Sequence, residues 1–322
     1  MTIYERLTDV DRVSETETVS DRDRPSVVET DSDRKRMNFE KSFVIFSCTF
    51  YVSVEDKRCQ CALEFLASAA QLGAWVVVVD SSPDVAVREA MQQAGGPTVV
   101  IAKQQIPGRK GPALREAAQI ASTLPGVTDA TWLCFQEVWL CAIHAILLLI
   151  CLICLICLIC LICTQPEKVN MVMYWADTVS KAKDADIIVP FRDQELFQKT
   201  YPIEQYHSES YANLLLDCAA KALAPKEAAI SLPLDWHFGP FCFLEKHLDN
   251  WTSHTGDMWD AQVCPIVYSV RKGLRVRTVP VPFVAPTIMK EMEEGNLEFV
   301  EKRLMQINFL DPKVKAAWTD EL

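Results

Sequence analysis

Four stretches of this 322-residue chain combine residue types and spacing that could do chemistry. Asp80 closes the apolar run Ala74–Val79 and is followed by Ser81-Ser82-Pro83-Asp84. A carboxylate at the carboxyl end of a parallel strand lies where open α/β sheets bind ligands. There it can accept hydrogen bonds from a nucleobase N–H or a ribose hydroxyl. The plainer alternative is a loop aspartate capping the next helix, the role that suits Asp84. Pro107-Gly108-Arg109-Lys110-Gly111 places a glycine-flanked basic pair at a helix start. Backbone N–H groups, the helix dipole and two cations together suit a diphosphate. A solvated charged turn is the alternative, and the spacing is neither that of a Walker A loop nor that of a Rossmann glycine motif.

The third stretch is split. Gln136-Glu137 and Pro166-Glu167-Lys168 flank an apolar segment, and removing that segment would join them. Glu137 and Glu167 would then form a carboxylate pair at a strand end, able to hold Mg²⁺ or Mn²⁺ against phosphate oxygens. Acids opening a helix are the alternative. The fourth stretch runs from Asp235-Trp236-His237-Phe238-Gly239-Pro240-Phe241 to His254-Thr255-Gly256-Asp257-Met258-Trp259-Asp260. Aromatic faces beside carboxylates suit sugar rings and hydroxyls, and Asp257 or Asp260 could act as a general base. Either one could instead cap the helix that opens near Ala261, and His254 reads as a surface histidine rather than a ligand.

These groups need a scaffold, and the sequence pattern predicts one. Ser42–Phe50, Ala74–Val79, Pro97–Ala102 and Thr131–Phe135 read as strands. Cys59–Leu72, Asp84–Ala94 and Gly111–Ser122 read as helices between them. Such alternation implies a parallel α/β sheet, and the all-apolar second run suits a strand buried on both faces. Beyond residue 166 the pattern predicts helices over Met171–Lys183, Ser208–Ala222, Ala261–Lys272 and Met289–Asn308. It also predicts strands over Ile187–Pro190 and Leu274–Val281, with Leu234–Phe243 leading into a helix that ends at Asn250.

Composition narrows the partners. The net charge is −11, which argues against a nucleic-acid surface. Residues 1–40 hold eleven acidic and seven basic side chains and little that could form a core, so they read as a disordered tail. They do not read as a signal peptide, so a reducing, cytoplasmic setting with thiol cysteines is the expectation.

Residues 138–165 stand apart. They contain no Asp, Glu, Lys or Arg, and their centre repeats Cys-Leu-Ile. Leu140–Cys163 is long enough to cross a ~30 Å hydrocarbon core at ~1.5 Å per residue. A span there would separate two halves of one sheet, and no basic cluster flanks it to set orientation. The alternative is a retained intron. Valine codons begin with GT and a glutamine codon can end in AG, so Val138–Gln165 fits 28 in-frame codons bounded by splice signals. The period-three cysteines offer no closed tetrahedral metal cage. Membrane contact is expected only if this segment is a genuine span.

Taken together, the pattern resembles inverting glycosyltransferases of the family-2 type, with the GT-A fold. The likeness rests on the first strand, the valine-rich strand ending at Asp80, the Pro107–Gly111 turn and the acidic strand end. It extends through Gly239-Pro240-Phe241, Asp257–Asp260 and Lys272-Gly273-Leu274-Arg275-Val276. The resemblance implies an α/β fold with a mostly parallel sheet flanked by helices, forming a single domain over residues 41–310. It implies transfer of a sugar from a nucleoside-diphosphate donor to a hydroxyl acceptor, usually with a divalent metal. By position, Asp80 would contact the nucleobase, and Arg109 and Lys110 would approach the diphosphate. Glu137 and Glu167 would sit near the metal, and Asp257 or Asp260 would deprotonate the acceptor. The family's metal motif is Asp-x-Asp, and this chain departs from it. A catalytically inactive binding protein and a membrane-anchored protein are the competing readings.

Overall fold

The computed structural model describes residues 43–106, 109–136 and 168–319. The tail 1–40, the insert 138–165 and the candidate metal ligands Glu137 and Glu167 lie outside the described residues. Seven strands form one sheet in the order β3-β2-β1-β4-β6-β5-β7. They are β1 (Phe43–Thr49), β2 (Val76–Asp80), β3 (Val99–Lys103), β4 (Trp132–Phe135), β5 (Ile187–Arg192), β6 (Phe241–Leu244) and β7 (Val276–Val281). Strand β6 runs antiparallel to β4 and β5, and every other pairing is parallel. The fold is therefore the mostly parallel α/β sheet that the sequence predicts.

Burial on both faces explains why the strands read as continuous apolar runs. In β2, Val77 and Val79 enter one core cluster while Val76 and Val78 enter the other. The first cluster is covered by α3 (Lys110–Ser122), α6 (Ile203–Leu223), α8 (Asp260–Arg271) and α10 (Leu297–Thr319). The second is covered by α1 (Lys57–Leu72), α2 (Val85–Gly95) and α4 (Trp175–Lys181). Three short helices complete the α-helices of the described residues: α5 (Gln194–Thr200), α7 (Asp249–Thr252) and α9 (Thr287–Glu293). Asp84 caps α2 as expected, its carboxylate accepting from the Ala86 N–H at 2.9 Å.

Several elements differ from the sequence pattern, among them α4, which covers only Trp175–Lys181 of the predicted Met171–Lys183 after a 3₁₀ turn at Val169–Met173, and α5, which the pattern does not signal. Phe241–Leu244 is a strand rather than the approach to a helix. Four apolar residues carry no period of their own, and pairing on both edges decides their state. The predicted C-terminal helix is two helices, parted where Gly295 adopts φ 71°. The second of them continues through Pro312 to Thr319. Finally, α6 begins at Ile203, ahead of the predicted Ser208. Among the described residues no helix is long and apolar enough to cross a membrane.

Candidate functional site

Because β6 is antiparallel, the other six strands all end at one edge of the sheet. That edge holds Thr49, Asp80, Lys103, Phe135, Arg192 and Val281, and β6 starts from it. The chain adds β2 and β3 on one side of β1 and then places β4 on the other side. The resulting switch point between β1 and β4 is where open α/β sheets form a ligand crevice. It is stitched by Gln136, whose N–H donates to the Phe46 carbonyl at 3.0 Å and whose carbonyl accepts from Ser47 Oγ at 2.5 Å.

Asp80 stands at this edge and is fully buried. Its Oδ1 accepts from Thr49 Oγ1 at 2.8 Å and from Ser82 Oγ at 2.6 Å. Its Oδ2 accepts from the Ser82 N–H at 3.2 Å and from Arg88 Nη1 at 3.0 Å. Ser82 Oγ in turn accepts from the Tyr51 N–H at 2.8 Å. Asp80 thus ties the loop after β1 to the loop after β2 while Arg88 balances its charge. Thr49 and Arg88 escape sequence reasoning, whereas the serine pair directly after the strand-end aspartate is a visible signal for an Asx-type loop.

The basic turn and the late acidic segment meet. Arg109 Nη1 forms an ion pair with Asp257 Oδ2 across 148 positions of sequence. The Gly111 N–H donates to the Asp257 carbonyl at 2.8 Å, and Arg115 Nη1 donates to the Gly256 carbonyl at 2.7 Å. Contact is close enough that a Cβ on Gly111 would lie 1.9 Å from the Gly256 oxygen. The start of α3 is therefore clamped on the loop that precedes α8.

Within this junction the candidates differ in access. Lys110 is buried, at 1% exposure. The Arg109 and Asp257 side chains are 58% and 46% exposed. Asp260 is buried in the first turn of α8, accepts from the Met258 N–H at 3.0 Å and faces Lys313 Nζ at 3.7 Å. Of the two candidate bases, Asp257 is the one open to solvent. His254 is half-buried, with Nε2 pointing at Gly256. Burial pushes its imidazole below the ordinary value; Asp260 opposes this, while Arg115 and Lys313 reinforce it.

A second polar group lies at the same edge, and its members come from separate elements. Arg192, at the end of β5, donates to both oxygens of Asp235 at 2.7 Å and faces Glu209 Oε2 at 2.8 Å. Its guanidinium also lies over the Phe197 ring, 3.6 Å from the centroid. Arg303 of α10 reaches Glu209 at 3.6 Å and pairs with Glu293. Burial pushes the Glu209 carboxyl up, but Arg192, Arg303 and Lys168 together outweigh it and hold the group at about 2. Asp235 and His237 were visible in the sequence as a polar pair among aromatics, whereas Arg192, Glu209 and Arg303 gave no local signal.

Among the described residues no three Cys, His, Asp or Glu side chains cluster to hold a metal. A cavity of about 620 Å³ opens at the other edge of the sheet, lined by Trp132, Val179, Lys183, Leu244 and Lys246 among others, and none of the candidate residues reaches it.

No protein-family model matches the chain, and no curated protein does. Among solved structures it is similar to glucosyl-3-phosphoglycerate synthase from Mycobacterium tuberculosis, in complex with Mn²⁺, UDP and phosphoglyceric acid. Identity there is 12%, with 87% of this chain and 80% of that chain covered, at a TM-score of 0.49. The same enzyme with phosphoglyceric acid gives 12% identity, coverage of 85% and 79%, and a TM-score of 0.47. A structure described only as a mycobacterial protein gives 16% identity, coverage of 82% and 74%, and a TM-score of 0.43. Values this low carry neither activity nor residue roles to this chain.

Proposed function

We infer that this chain transfers a sugar from a nucleoside-diphosphate donor to a hydroxyl acceptor at the carboxyl edge of its sheet. The observation that carries the reading is the junction at the start of α3. An exposed cation suited to a diphosphate, Arg109, sits against an exposed carboxylate suited to an acceptor hydroxyl, Asp257. Gln104 ties the basic turn to the end of β2: its N–H donates to the Asp80 carbonyl at 2.8 Å and its side-chain amide donates to the Arg109 carbonyl at 2.7 Å.

In this reading Asp257 takes the proton from the acceptor hydroxyl. The oxygen attacks the anomeric carbon while its bond to the diphosphate breaks, inverting the configuration. The leaving charge meets Arg109 and the amino end of α3, groups that act most strongly where charge develops, while buried Lys110 adds its charge without touching the diphosphate. Asp260 holds the loop through Met258, and Asp80 shapes the edge on which the nucleobase would lie. Glu137 and Glu167 would hold Mg²⁺ or Mn²⁺, and a bound metal would neutralise the leaving diphosphate. The setting is inside the cell, with residues 138–165 a foreign insert.

One observation favours a second reading, a binding protein without turnover. At the end of β4 Gln136 occupies a place suited to a metal ligand, and its amide is committed internally. It donates to the Lys168 carbonyl at 2.8 Å and accepts from Trp175 Nε1 at 3.3 Å. Incubation with a panel of UDP- and GDP-sugars, with and without Mn²⁺, separates the two. Release of nucleoside diphosphate that vanishes in Asp257→Asn supports transfer. Nucleotide binding with no turnover of any donor supports the binding protein.

A further inference from the structure

We propose that the Arg109–Asp257 ion pair is a latch that the donor's diphosphate opens, so that donor binding frees the base. The inference rests on the transferase reading above and adds an order of events to it. Three observations carry it. First, the pair joins the group suited to the donor directly to the group suited to the acceptor. Among the described residues the Arg109 guanidinium has no other partner, so a diphosphate can bind it only beside or instead of Asp257. Second, both side chains are well exposed, and an exposed single ion pair is weak. A diphosphate offers several charged oxygens to one guanidinium and outcompetes a lone carboxylate. Third, the backbone beneath does not depend on the pair. The Gly111–Asp257 and Arg115–Gly256 hydrogen bonds and the close glycine contact hold the junction by themselves. Opening the latch therefore needs only side-chain rotation.

While the latch is closed, one Asp257 oxygen is occupied by the guanidinium. An acceptor arriving first meets a base that is already engaged. A donor arriving first takes Arg109, and Asp257 turns to the acceptor. No bond is made or broken in this exchange; one ion pair replaces another.

Calorimetric titration of the full chain with UDP, GDP and inorganic pyrophosphate, in Mg²⁺, tests it. Asp257→Asn removes the competitor, so the best-bound of these ligands should bind about two- to fivefold more tightly. Arg109→Gln should weaken binding about tenfold. In the Arg109→Gln background, Asp257→Asn should have no further effect, because the competition has gone. Asp257→Ala serves the same purpose should the asparagine variant fold poorly. Unchanged or weaker binding by the Asp257 variants overturns the latch, as does a tightening that persists without Arg109. If the wild-type chain binds none of the three ligands, the donor site itself is refuted and the latch falls with it. If it binds one and Asp257→Asn fails to tighten it, only the latch falls.

Discussion

Replacing Gly111 with alanine sets a methyl group against the backbone of the loop that precedes α8. The new carbon would lie 1.9 Å from the Gly256 oxygen, 2.8 Å from its carbonyl carbon and 2.9 Å from Asp257 Cα. Ordinary contact requires roughly 1.5 Å of retreat. The retreat would break the Gly111–Asp257 hydrogen bond and strain the Arg115–Gly256 bond. Overpacking and the weakened hydrogen bonds together amount to about 2–5 kcal/mol of lost stability. Alanine's helix propensity returns at most ~1 kcal/mol, so the sign is clear. The site should suffer more than the fold, since a 1 Å displacement of reacting groups can lower turnover about 100-fold. Urea unfolding followed by circular dichroism reads the first effect, and donor turnover reads the second. Wild-type midpoint and turnover in Gly111→Ala would refute the clamped junction, and with it the argument that Arg109 and Asp257 share one site.

Other outcomes follow from the same geometry. Asp235→Ala leaves buried Arg192 with Glu209 alone and should cost about 3–5 kcal/mol in urea unfolding, whereas Arg192→Met with Asp235→Leu should cost less. Glu209 is held at about 2 against an ordinary 4.5. Asp186 is also held at about 2, its Arg275 and His247 hydrogen bonds outweighing burial, against an ordinary 3.8. Both folded values are depressed, so their stabilisation is complete above about pH 4.5 and is lost as pH falls toward 2. The melting temperature should drop through that window, and Glu209→Gln should show a shallower drop from a lower plateau; a parallel curve would rule out Glu209 as a contributor. Joining Glu137 directly to Pro166 should give a chain that folds and turns over donor at least as well as the full one. Aggregation of the joined chain would count against the insert being foreign.

How much of this was legible in the sequence depended on the range of the interactions involved. The Val76–Val79 run announced a strand buried on both faces, because nothing else explains four consecutive valines so well. Asp84 announced a helix start through local chemistry, and it stands where expected. Strand β6 was hidden because four apolar residues fix neither period nor direction; two neighbouring strands do. The partners of Asp80 were half visible: Ser82 is adjacent, but Thr49 lies 31 residues away. Arg192, Glu209 and Arg303 were invisible because no spacing joins β5, α6 and α10. Arg109 and Asp257 were each picked out, but for different jobs, and only folding shows that they touch.

The central claim is sugar transfer at the start of α3. Its most direct test is proton NMR of the anomeric centre after incubating the chain, with and without residues 138–165, with UDP- and GDP-sugars, Mn²⁺ and a panel of hydroxyl acceptors including water. The account predicts a product of inverted configuration from at least one donor, lost in both Asp257→Asn and Arg109→Gln. No turnover of any donor by either form, or turnover that survives both substitutions, would contradict it.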